Sequence, residues 1–87
     1  MKEIRKEKQK MNKERREFIE KILTKLDELK SDIENTKWDE EDAFESLPDN
    51  LKESGRGESM QEAIDNLDYA LDSMDELIDY LNEAQAR

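Results

Sequence analysis

The most chemically loaded feature of this 87-residue chain is a row of carboxylates. Asp65, Asp68, Asp72, Asp75, Asp79 and Glu83 follow one another at steps of three or four, with Glu62 and Glu76 beside them. On a helix that spacing keeps a single face. Between Arg56 and Arg87 there is no basic residue. Like charges at i,i+4 cost about 0.2–0.5 kcal/mol per pair, so this row accepts repulsion that an ordinary exposed helix relieves by mixing signs. It also uses Asp where Glu forms helix better by a few tenths of a kcal/mol. A rigid row of carboxylates about 5 Å apart along the axis approaches the charge density of a nucleic-acid backbone. Such a row could occupy the cationic groove of a DNA- or RNA-binding protein. It could also serve only as a solvated face, or receive a basic segment from another copy. The candidate partner-binding residues are Asp65, Asp68, Asp72, Asp75, Glu76, Asp79 and Glu83, with Trp38 and Phe44 adding apolar contact area.

Catalytic readings find little support. The chain has no histidine and no cysteine, so it offers no imidazole base, no thiol nucleophile and no zinc set of either kind. Asp39 with Asp42, and Glu62 with Asp65, form two acidic pairs at i,i+3. They resemble the magnesium-holding pairs of all-α nucleotide pyrophosphatases, which implies a metal-dependent hydrolase as a remote alternative. The pattern departs from that family, because its usual glutamates are partly replaced and no basic residue lies close by for phosphate. The acidic stretch from Asp39 to Glu45 lacks the glycine that a calcium loop needs. The expectation is a non-enzymatic protein with no cofactor and no metal.

The elements that must position these groups read as helices. Two glycines and one proline in 87 residues leave few places to turn. From Phe18, the residues Ile19, Ile22, Leu26, Leu29 and Ile33 form a heptad seam. Ile19, Leu26 and Ile33 fall at a; Ile22 and Leu29 fall at d. The seam weakens from Thr36 to Asp42, and Pro48 marks a break after it. The predicted helix runs over about 18–46. A turn over 47–58 follows, with Ser46 capping a short helical stretch anchored by Leu51. Gly55-Arg56-Gly57 is read as its flexible segment. Ser59 and Glu62 read as a capping box that opens a second helix over about 59–86. There Met60, Leu67, Met74 and Leu81 sit at a; Ala63, Ala70, Leu77 and Ala84 at d; Ile64, Leu71 and Ile78 at e. Trp38 and Phe44 are expected to cover the turn end. The fold class is therefore all-α, an antiparallel helical hairpin with a short helical turn. The three-position stripe of the second helix wants more cover than one neighbour provides, so dimerisation into a four-helix bundle is expected.

Charge is unevenly distributed. Residues 1–37 carry net +3 and residues 38–87 net −13, giving −10 for the chain. Residues 1–17 read as a basic helical arm, ordered when docked and frayed otherwise. In this arm Ile4 and Met11 precede Phe18 at seven-residue spacing. Its positive charge is not followed by an apolar run, so no secretory leader is expected and a cytoplasmic location is. No membrane partner is expected. Nucleic acid would be touched only weakly, through residues 1–16.

The stretches Leu47-Pro48-Asp49-Asn50-Leu51 and Gly57-Glu58-Ser59-Met60-Gln61-Glu62-Ala63-Ile64-Asp65-Asn66-Leu67 resemble small acidic proteins of phages and prophages of Gram-positive bacteria. The resemblance covers roughly residues 14–84 and implies no assigned activity. It points toward small accessory roles, including inhibition of host nucleic-acid-binding proteins by acidic mimicry. The functional expectation is a dimeric protein-binding module whose acidic helix occupies a basic surface, in its specific form a phage-type inhibitor in the host cytoplasm. The alternative is a structural self-assembling bundle protein.

Overall fold

The computed structural model describes residues 12–87. The first helix, α1, spans Lys13–Glu45; a one-turn helix, α2, spans Asp49–Lys52; and α3 spans Gly55–Ala86. There is no strand among the described residues. The two long helices pack against each other as an antiparallel hairpin, and α2 packs on the start of α3. None of these helices is long and apolar enough to cross a membrane. The basic arm expected over residues 1–17 lies mostly outside the described residues; residues 13–17 belong to α1.

α1 starts where a short polar side chain can satisfy an orphan amide. The Arg15 amide donates to Asn12 Oδ1 at 2.9 Å, an N-cap. Thirty-three residues without glycine or proline then run unbroken through the weak part of the seam. Thr24 and Thr36 do not interrupt it, because their hydroxyls donate to the carbonyls of Glu20 and Asp32 on the preceding turn. Ser46 ends α1, its amide bonded to the Asp42 carbonyl. It therefore closes the first helix and does not cap the short one, which begins after Pro48 without a side-chain cap. Proline has no amide to leave unsatisfied at a helix start, and its fixed φ suits that position.

The expected capping box at Ser59 is not the start of the last helix. α3 begins at Gly55, after an extended Ser54. Ser59 and Glu62 lie inside it, and Gly55-Arg56-Gly57 is its first turn, not a flexible link. Packing explains the early start. Gly57 is buried against α2, so close that a β-carbon there would sit 2.0 Å from the Lys52 carbonyl oxygen. Only glycine lets the two backbones approach in this way.

The hairpin seam also differs from the expected a/d pairing. Residues at a and e turn inward on both helices. On α1 these are Ile19, Leu26, Ile33 and Glu40, with Leu23, Lys30, Lys37 and Phe44; all are half-buried. On α3, Met60, Leu67, Met74 and Leu81 join Gly57, Ile64, Leu71, Ile78 and Gln85. The d row lies at the margin of the seam: Ile22, Ala63 and Ala84 are half-buried, whereas Leu29, Thr36, Ala43, Ala70 and Leu77 are exposed. The reason is size. A single neighbour can cover only two rows of α3, and Ile64, Leu71 and Ile78 remove more apolar surface from water than Ala63, Ala70 and Ala84. Lys30 and Lys37 tolerate the seam because their aliphatic stems cover it while their ammonium groups reach out. The resulting core is one layer thick, and Ile64 is the single buried apolar side chain among the described residues.

Candidate partner-binding face

The a/e seam places the b rows of both helices on one side of the hairpin. On α3 that row holds Asp68 and Asp75, with Asp65, Asp72 and Asp79 one step further round. On α1 it holds Lys13 at the helix start and then Glu20, Asp27, Glu34 and Glu41. This second acidic row was legible as a seven-residue spacing but carried no meaning until the seam was known. Its residues and those of α3 line two clefts together. At the turn end, a cleft of about 350 Å³ has Glu41, Asp42, Glu45 and Gln61 around Phe44 and Ile64. At the open end, one of about 330 Å³ has Glu20, Thr24, Asp27 and Asn82 around Leu23 and Ile78. Both have apolar floors and acidic rims, the chemistry that accepts a lysine or arginine stem with its charged head. Both are at the small end of ligand pockets.

Between the clefts, two α1 lysines reach across the groove. Lys30 Nζ lies 2.7 Å from Asp75 Oδ1, and Lys37 Nζ lies 2.7 Å from Asp68 Oδ1. The hydrogen bond to Asp75 is the main reason that the Lys30 pKa is raised above 10.5, with further help from Glu34 and Asp27. For Lys37 the hydrogen bond to Asp68 plays that part, and Glu41 and Glu34 add to it. These partly exposed pairs are screened by solvent and contribute only modestly to stability. They follow from the a/e seam, which brings the two lysines within reach of Asp75 and Asp68.

The acidic row of α3 is therefore not unpaired throughout, as its sequence suggested. Asp68 and Asp75 are held by lysines. Asp65 accepts from Gln61 Nε2 at 3.2 Å, and Glu83 meets Arg87 at 3.4 Å. Asp72, Glu76 and Asp79 are exposed and have no ion pair among the described residues. The aromatic pair separates. Phe44 is half-buried at the turn end, with Lys52 Nζ 5.8 Å from its ring centre. Trp38, expected to cover the same end, is instead 54% exposed. It follows Lys37 by one residue and so turns away from the seam, toward the acidic side.

Among the described residues, no three carboxylates converge closely enough to hold a metal ion. The pairs Asp39/Asp42 and Glu62/Asp65 belong to no such group among the described residues. No protein-family model, curated protein or solved structure matches the chain.

Proposed function

We propose that this protein is a non-enzymatic binding module that docks its acidic groove on a basic surface of another protein. The observation that carries the reading is the convergence of carboxylate rows from both helices on one side, where Lys30 and Lys37 pair with two of them. Apolar cleft floors and the exposed Trp38 supply contact area beside the charge, as an interface core requires. Nucleic-acid-binding proteins are a natural partner class, since their surfaces are built to meet a dense row of anions. With the resemblance to phage proteins, this gives the specific form of the proposal: an inhibitor that covers the nucleic-acid site of a host protein. A self-assembling structural protein is the second reading, favoured by the apolar d-row residues left exposed.

The test is a quantitative pull-down from bacterial lysate, followed by titration of the identified partner. The variant should carry Asp65→Asn, Asp72→Asn and Asp79→Asn, which spare Asp68 and Asp75 and hence the pairs that hold the hairpin. The expected result is a stoichiometric basic partner, bound by the wild type, lost by the variant and released by about 0.5 M salt, where screening reaches within a few ångströms. Equal capture by both chains, or binding indifferent to salt, would refute the acidic groove as the contact.

A further inference from the structure

The side of the hairpin opposite the acidic groove is built to a different rule. From Gly57 to Ala86, α3 carries nine acidic residues, and all nine fall at b, c or f. Its d and g rows carry none. The g positions, which would be solvent-facing in an isolated hairpin, are Ser59, Asn66, Ser73 and Tyr80, all exposed. Among the described residues, four of the six exposed large hydrophobic side chains lie on this same side: Phe18 at 65% exposure, Leu29 at 50%, Leu77 at 44% and Tyr80 at 72%. A helix this acidic has no reason to keep two adjacent rows free of charge if both stay in water.

We infer that this d/g side is a self-association surface, and that a second copy of the chain covers it to close a four-helix bundle. Area supports a second copy. The face runs for about 38 Å along α3 at 1.5 Å per residue. With two helices about 9 Å apart, it offers on the order of 700 Å² per hairpin. A pair would bury about 1,400 Å², within the range of stable specific interfaces. Charge supports it too. Two molecules of net charge −10 can meet closely only where few carboxylates face each other; on this side α3 presents none, and α1 presents Asp32 and Asp39 with Lys25 of opposite sign. Close approach is possible because Ala63, Ala70 and Ala84 occupy the d row. The thin single-layer core of the hairpin gains its second layer in the same step. The acidic grooves are left facing outward on opposite sides of the dimer, so the inference stands whether or not those grooves bind a partner.

Sedimentation equilibrium of the full chain tests it, with two variants that add the same charge to the same helix. Asn66→Glu with Ser73→Glu charges the d/g side; Gln61→Glu with Asn82→Glu charges the groove side. The wild type at about 100 µM, well above a micromolar Kd, should sediment at twice the 10.4 kDa chain mass. The first variant should dimerise at least tenfold more weakly and the second should match the wild type. Added salt should strengthen the dimer by screening its repulsion, the opposite of its effect on docking through the groove. Circular dichroism on the same samples verifies the helices, and Ser73→Glu alone replaces the first variant if that pair loses helix. A wild type that stays at the single-chain mass, a mass above the dimer, or equal weakening by both variants would overturn the inference.

Discussion

Replacing Gly57 by alanine should destabilise the protein, although alanine is the best helix former and glycine among the worst. The position is inside α3, so propensity alone predicts a gain of about 0.8–1.0 kcal/mol. The added β-carbon would lie 2.0 Å from the Lys52 carbonyl oxygen and 2.5 Å from its carbonyl carbon. An ordinary contact begins near 3.4 Å, so α2 would have to retreat by about 1.4 Å from α3. The obstructing atoms are backbone, which cannot swing aside like the tip of a side chain. Overpacking of this kind costs about 1–3 kcal/mol, and displacing α2 also loosens Leu51. The net expectation is a loss of about 1 kcal/mol, a substantial part of the roughly 3–5 kcal/mol that one small core supplies. Gly55 is the internal control. It is in the same turn, and nothing lies within 4 Å of its β-carbon position, so Gly55→Ala should be neutral or mildly stabilising. Urea unfolding followed at 222 nm, at one fixed chain concentration because association shifts apparent stability, gives both values. A Gly57→Ala midpoint equal to or above that of Gly55→Ala would refute the close packing of α2 on α3.

Two further outcomes follow from the groove. The folded pKa values of Lys30 and Lys37 are raised above 10.5, so their contribution to stability is fully present below 10.5 and is lost as pH rises through the folded values. Wild type should therefore lose urea resistance over that alkaline interval faster than a Lys30→Met, Lys37→Met variant; parallel curves for the two would show that the pairs contribute nothing. Trp38 is the only tryptophan and is 54% exposed, so its free emission should be red-shifted and readily quenched by acrylamide. A partner seated on the acidic side should move that emission to the blue, whereas unchanged emission at saturation would locate the contact elsewhere.

The sequence by itself determined that the chain is helical, that it reverses near Pro48 and that its last helix is acidic along one side. These follow from local rules: helix formers without interruption, a proline that forbids continuation, and apolar residues at heptad spacing. Only the tertiary structure decided which rows of the heptads face inward. The three apolar rows of α3 are indistinguishable as a pattern, and the choice of a and e over d depends on having one neighbouring helix and on the extra area of Ile64, Leu71 and Ile78. That choice then fixed the site. It brought Lys30 and Lys37 to Asp75 and Asp68, 45 and 31 residues away in sequence, and aligned Glu20, Asp27, Glu34 and Glu41 with the acidic helix. The start of α3 was hidden for a similar reason. Gly55 and Gly57 read locally as a loop and Ser59 as a cap, because the feature that makes a glycine favourable at position 57 is the Lys52 carbonyl of another element, and a contact of that kind is not written in local spacing.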